Sequence, residues 1–247
     1  MFNIYEDTEV PHIVCENFLP THMVNKLYDG IGEMEEEFGH PQWSSLGPED
    51  LGGAKHQSLC IGKDIWLPTI KKLDHEGNPS ALGELSPWYP SIFGDYLQNY
   101  LFHQGVRDFL MSSKNDVFRL IASQIYPDGK MHIIAYDNKE YYNWHKDGTV
   151  SGGPMMFTPD GPSRMNLCTY NLILCANEKI KGGDLLVMKD GVCKRVPLKH
   201  NTLVMHPSSI MHSVQEVKLE KTAPLKERRI SVQFWQAGVL DFSTLAQ

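Results

Sequence analysis

Short β-rich runs separated by turn signals fill the second half of the chain. They read "MHIIAY", "LCTYNLILCAN", "GDLLVMKDG", "NTLVMHP", "SVQEVKL" and "RRISVQFW". Many short strands following helices pack as two sheets, in a sandwich or jelly roll backed by those helices. Asp190-Gly191, at the tip of "LLVMKDGVCKRV", is a strong hairpin signal. The first half reads differently. "PHIVCENFLP" is an opening strand ending at Pro20, and Thr21 caps a helix that places Met23, Leu27 and Ile31 on one face. Residues 40–90 are rich in Gly, Pro and Ser and read as loops with short elements. "SIFGDYLQNYLFHQGVRDFLMSS" predicts one or two helices, and "DVFRLIASQIYP" a strand entering a turn at Asp128-Gly129. The expected fold is mostly β with helical support (α+β). A helical region, 1–112, packs on one sheet of a jelly-roll core, 113–247, and the two form one structural unit.

Composition narrows the function classes. The 247 residues carry a formal charge of −7 and no basic tract, which weighs against a nucleic-acid footprint. The start "MFNIYEDTEVPHIV" has no cationic leader or apolar core, so no signal peptide is expected. No apolar run approaches the length of a membrane-spanning helix. Five cysteines, Cys15, Cys60, Cys168, Cys175 and Cys193, are scattered without a CxxC, which fits reduced thiols and a cytoplasmic location.

Chemistry-bearing residues cluster in the β-rich half. His145 and Asp147 in "YYNWHKDG" are two apart, and on a strand such residues share a face. His212 follows the turn-like "HPSSIM". Two His and one Asp form the ligand set of the facial triad that holds non-haem Fe(II) with open positions. A chance HxD on a surface turn is the bland alternative. His206 is the rival to His212. It ends an apolar strand, whereas His212 stands where a strand re-enters after the turn, and His212 is preferred. Alternation in "RRISVQFW" puts Arg229 and Ser231 on one face, opposite Ile230 and Val232. Arg229 and Ser231 can therefore grip one carboxylate, because the guanidinium fork matches it. Arg228 belongs to the other side and is expected to curl into solvent.

The order HxD, PSxxxHSV, RxSxxxW resembles the 2-oxoglutarate- and Fe(II)-dependent dioxygenases, above all their prolyl 4-hydroxylase-like branch. The resemblance covers roughly residues 113–240, and "VCENFLPTHMVNKL" extends it to the opening strand and helix. It implies a double-stranded β-helix form of the jelly roll. It implies Fe(II) on His145, Asp147 and His212, 2-oxoglutarate as co-substrate, O2 as oxidant and ascorbate as reductant. It implies that Tyr136 helps Arg229 and Ser231 hold 2-oxoglutarate, and that Tyr142, Trp144 and Trp235 face the substrate. Several relatives carry a Tyr where this chain has Cys175, so Cys175 occupies a co-substrate position. Collagen-type members use Lys where Arg229 stands, and "KLEKTAPLKE" lengthens the interval from His212 to Arg229.

The implied reaction is hydroxylation of an aliphatic C–H with release of succinate and CO2. The implied substrate is a prolyl residue in a peptide or an amino-acid-like small molecule. A non-catalytic metal-binding jelly-roll or cupin-like module is the alternative from another class, and a nucleic-acid-modifying dioxygenase of the same fold is another. "GTVSGGPMMFTPDGPSRM", 148–165, reads as a lid with Met155, Met156 and Phe157 at its tip, or as a plain surface insertion.

Overall fold

The computed structural model describes residues 3–33, 54–55, 57–62, 110–116, 118–119, 127–147 and 165–238. The expected helices over 91–109 and the expected lid lie outside the described residues, apart from Leu110 and Met111, which are helical, and Met165.

Among the described residues fourteen strands are formed in this order: β1 (Asn3–Asp7), β2 (His12–Glu16), β3 (Ala54–Lys55), β4 (Gln57–Gly62), β5 (Pro127–Tyr136), β6 (Tyr141–His145), β7 (Met165–Leu174), β8 (Lys181–Gly182), β9 (Leu185–Lys189), β10 (Val192–Val196), β11 (Thr202–Pro207), β12 (Met211–Val214), β13 (Val217–Lys218) and β14 (Arg229–Gly238). The α-helix α1 (Thr21–Glu33) follows β2. One sheet runs β1-β2-β11-β7-β14-β5-β4, a second runs β10-β9-β12-β6-β3, and β13 pairs β8 separately. All described pairings are antiparallel. From β5 onward the chain crosses back and forth between the two large sheets, with β9 and β10 forming a hairpin within the second and β8 and β13 pairing apart, in the manner of a jelly roll.

The seven-stranded sheet has two buried faces, and its strands alternate strictly between them. Ile133, Ala135, Tyr170, Leu172, Leu203, Met205, Ile230 and Val232 form one cluster with Phe18, Leu19 and the apolar stripe of α1, Met23, Val24, Leu27 and Ile31. On the opposite face, Val14, Ile134, Tyr136, Ile173 and Val204 meet Leu185, Val187 and Val214 of the second sheet. Each such side chain contributes about 1.5–3 kcal/mol on burial. α1 begins at Thr21, but Thr21 is its first helical residue and not the expected cap: the Pro20 carbonyl accepts from the N–H groups of Met23 and Val24, and no residue of α1 adds an acidic first turn or a basic last turn. Its anchorage is chiefly the apolar stripe, with an exposed ion pair from Asp29 to Lys226 at 3.3 Å.

The N-terminal region is more than a helical support. β1 and β2 extend the large sheet through the β2–β11 ladder, β4 edges it through β5, and β3 edges the smaller sheet through β6. The β-branched Ile13 and Val14 alternate between the two cores, which explains why this segment docks as strand. The expected strand "DVFRLIASQIYP" begins otherwise: Asp116, Phe118 and Arg119 are helical. Ser113 Oγ accepts the Asn115 N–H at 3.0 Å, and the Asn115 carbonyl accepts the N–H groups of Phe118 and Arg119. The predicted run "SVQEVKL" divides into β12 and β13. At the β9–β10 hairpin, Asp190 and Gly191 have φ of 51° and 81°, as a tight two-residue turn demands.

Candidate metal centre

His145 ends β6 and His212 sits on β12, and the two are direct cross-strand partners. The two steps along β12 from His212 to Val214 are matched by three along β6 from His145 to Tyr142. This bulge turns Tyr142 to the same side as His145, with ring centroids 3.8 Å apart. Plain alternation would have set Tyr142 on the opposite face.

Asp147 lies beyond the end of β6, so strand alternation is not what aims it. Its N–H donates to the Ser208 carbonyl at 3.0 Å. Its Oδ2 accepts from Thr169 Oγ1 at 2.8 Å. Thr169 Oγ1 lies 3.0 Å from Ser208 Oγ, and with its own proton on Asp147 it accepts there. A short relay, Ser208 to Thr169 to Asp147, thereby fixes the carboxylate.

Nε2 of His145 stands 3.6 Å from Asp147 Oδ1, and Nε2 of His212 stands 3.4 Å from Asp147 Oδ2. One ligating atom from each residue falls within 4.8 Å of the others. Nδ1 of His145 meets the Asn143 carbonyl at 2.7 Å, and Nδ1 of His212 the Ile210 carbonyl at 3.1 Å. A carbonyl can only accept, so both Nδ1 atoms carry the proton and both Nε2 atoms present lone pairs to the centre. Two imidazole nitrogens and one carboxylate oxygen, converging from a strand pair and an adjoining bend, fit a first-row divalent metal with positions left open.

Burial works to raise the Asp147 carboxyl, but attraction to His212, then to His145 and His206, holds it well below the ordinary carboxylate range. For His212 burial lowers the imidazole, and Asp147 more than reverses it, so the net shift is upward. His206 is also wholly buried, its ring 4.4 Å from that of His212. Burial, then the neighbouring His212, pushes it down to about 3, so it is a neutral neighbour. Its Nδ1 lies 3.0 Å from the Pro207 carbonyl, and it is not among the three residues whose ligating atoms converge.

Arg229 is fully buried, with no carboxylate of the described residues at ion-pair distance. Its Nε donates to the Gly183 carbonyl at 3.1 Å, Nη1 donates to Ser231 Oγ, and Nη2 has no partner among the described residues. Its guanidinium lies over the ring of Tyr136, its partner across the β14–β5 ladder. Burial depresses Arg229, and Tyr136, Cys175 and Asp184 offset part of that. A buried cation with a free N–H is costly without an anion. The far carboxylate of a 2-oxo diacid fits this fork, with the Ser231 hydroxyl proton free to join it.

Arg228 corrects a sequence expectation. It does not curl into solvent: Nη2 lies 3.5 Å from Asp137 Oδ2, Nε donates to the Ala223 carbonyl at 2.8 Å, and both side chains are nearly enclosed. Cys175 is half-buried, its thiol raised by burial and lowered by nearby Arg229. Trp144 is half-buried on β6. Trp235 pairs Thr169 across β14–β7, and its side chain lies outside what the structure describes. Thr169 and Gly183 escape a sequence reading, and Ser208, though it stands in the PSxxxHSV run, has no role assigned there. The GG pair is the available signal for Gly183. Gly182 and Gly183 both have φ of 69°, and a Cβ on Gly182 would strike the Glu216 carbonyl oxygen.

Residues 131–237 match the 2OG-Fe(II) oxygenase superfamily, a stretch that runs from β5 to β14 and contains every residue of the centre. This segment belongs to that superfamily. The chain is 29% identical over 88 residues, 36% of each chain, to a PKHD-type hydroxylase of Crocosphaera subtropica. It is 37% identical over 82 residues, 33% of this chain and 34% of the relative, to a PKHD-type hydroxylase of Escherichia coli. The chain thus spans about a third of the length of these curated relatives. Among solved structures, a Pseudomonas putida prolyl-4-hydroxylase superposes with a TM-score of 0.51 at 15% identity, over 91% of both chains. A viral collagen prolyl hydroxylase from Paramecium Bursaria Chlorella virus-1 superposes with a TM-score of 0.52 at 13% identity, over 92% of this chain and 96% of that one. At such identities the likeness shows the fold alone, and strands β5 to β14 of that fold carry the candidate metal centre.

Proposed function

We propose that the protein is an Fe(II)- and 2-oxoglutarate-dependent hydroxylase that inserts oxygen into an aliphatic C–H bond, with release of succinate and CO2. The observation that carries this reading is the pairing of the His145-Asp147-His212 convergence with the partnerless Nη2 of buried Arg229 on the same inner face. A non-catalytic metal module needs the convergence alone and has no use for a buried cation awaiting a carboxylate. Bound Fe(II) would supply the redox chemistry that couples O2 and the 2-oxo acid to C–H oxidation.

The chain's own residues do the rest. His145 and His212 present Nε2 because Asn143 and Ile210 hold their Nδ1 protons. Thr169 keeps one oxygen of Asp147 aimed inward. Arg229 and Ser231 orient the far carboxylate of 2-oxoglutarate, with Tyr136 beneath the guanidinium. Ile134, Ile173, Val204 and Val214 keep that interior dry. Tyr142, against the ring of His145, stands on the substrate side of the centre in this reading.

The proposed substrate is a prolyl residue in a peptide, or an amino-acid-like small molecule. A prolyl hydroxylase of Trichoplax adhaerens, solved with a peptide fragment, shares the fold at a TM-score of 0.52 and supports the peptide form. Free Cys15, Cys168, Cys175 and Cys193 support a reducing, cytoplasmic setting. The test is succinate release from 2-oxoglutarate by purified protein with Fe(II) and ascorbate, screened against prolyl peptides and free amino acids. Metal binding without succinate under every condition points instead to the non-catalytic module.

A further inference from the structure

Among the described residues, Asn171 is the one whose side-chain amide is enclosed at both atoms without a hydrogen-bond partner. It is wholly buried, and neither Nδ2 nor Oδ1 meets a partner among those residues. Buried amides are nearly always bonded, since an unpaired one forfeits its hydration with no return. An apolar residue of the same shape would carry no such cost, so the amide has something to bind.

Its position on β7 says what. Tyr170 and Leu172 face α1, while Ile173 joins the core between the sheets. Asn171 therefore points between the sheets, in line with Thr169 and Ile173. Thr169 holds Asp147 of the metal corner, and Ile173 is the ladder partner of Ser231, which takes the Nη1 proton of Arg229. Inward residues on one strand are about 7 Å apart, so Asn171 stands between the two anchoring corners. Gln233 and Val204 flank it on β14 and β11.

The far carboxylate is served by Arg229 and Ser231. At the metal corner, Thr169 and Ser208 are engaged in holding Asp147. Asn171 is the buried donor left over beside that corner. Resting on the proposed function, we propose that Asn171 binds the 2-oxo diacid, donating an amide N–H to its metal-side carboxylate. It is a binding residue between the two anchors, not a metal ligand.

The experiment measures 2-oxoglutarate affinity by calorimetry with Mn(II) in place of iron, so no turnover is needed. Wild type, Asn171→Leu, Asn171→Asp and Arg229→Ala are compared, with Mn(II) affinity and the thermal midpoint of each. Asn171→Leu is expected to weaken 2-oxoglutarate about tenfold or more, as for loss of a hydrogen bond to a charged group, with Mn(II) affinity and midpoint held. Asn171→Asp, which sets a carboxylate against a carboxylate, is expected to weaken it further, and it decides the matter if the leucine variant does not fold. Affinity within twofold of wild type in either folded variant overturns the inference and assigns the amide to a buried water. If Arg229→Ala then still loses binding, the proposed function stands without Asn171. Wild type failing to bind 2-oxoglutarate overturns both.

Discussion

Arg229 lies directly opposite Tyr136 in the β14–β5 ladder, its guanidinium carbon 4.7 Å from the centre of the phenol ring. The stack and the Gly183 carbonyl hold the planar fork from two directions, leaving Nη2 as the free donor. A lysine ammonium lacks the planar fork that stacks on the ring, donates to Gly183 and still presents a further donor in fixed geometry, so Arg and Lys are not interchangeable here.

Arg229→Ala is expected to weaken 2-oxoglutarate binding by roughly thirtyfold to several thousandfold, since removing one partner of a desolvated charge pair typically costs about 2–5 kcal/mol. Arg228→Ala should leave that affinity nearly unchanged and instead lower stability by about 3 kcal/mol, because it strands Asp137 in a nearly enclosed ion pair. Co-substrate titration and denaturant unfolding of both variants separate the two roles. Equal losses of affinity would mean that the carboxylate site has been drawn around the wrong arginine.

Each of His145→Ala, Asp147→Ala and His212→Ala is expected to abolish tight Fe(II) or Mn(II) binding while leaving the fold intact. His206→Ala should retain the metal, because His206 is not part of the three-residue convergence. In the wild type, a metal at a hundred times its dissociation constant should stabilise the fold by about 2.7 kcal/mol, reversed by chelation. A metal-dependent rise in melting temperature that survives His212→Ala but not His206→Ala refutes the assignment.

Thr169→Val is nearly isosteric and removes the hydroxyl that holds Asp147 Oδ2. Outer partners of this kind typically contribute about 10–100-fold to metal affinity. Calorimetry with Mn(II) should show a loss in that range. Unchanged affinity would place the control of Asp147 in its backbone bond to Ser208 alone.

Gly182→Ala is expected to destabilise the protein by more than about 1 kcal/mol, since it combines a positive φ with a collision against the Glu216 carbonyl. The adjoining Gly183 carbonyl holds Arg229, so the same variant should also weaken 2-oxoglutarate. Gly191→Ala has the positive φ but open space around its Cβ, so it serves as the control, with a stability loss and full affinity. Loss of affinity in the Gly191 variant alone would contradict this coupling.

Local rules in the chain determined a good deal. The 3.6-residue apolar spacing of Met23, Leu27 and Ile31, the Asp190-Gly191 turn and the period-two alternation of Arg229 and Ser231 against Ile230 and Val232 each depend only on near neighbours, and each is seen in the fold. Other features depend on what arrives from far along the chain. The β6 bulge that turns Tyr142 toward His145 exists only against β12, about 70 residues on. Asp147 is aimed by Thr169 and Ser208, whose hydroxyls look ordinary until β7 and the β11–β12 turn bring them together. The same holds for Arg228, which reads as a solvent-facing charge until Asp137 closes on it. Sequence alone thus determined which residues can act and, on the regular strand β14, which face they share, because backbone periodicity is local. Only the tertiary structure decided where those faces meet and which polar atoms are left buried without a partner, because burial and partnership depend on the sheets closing over one another.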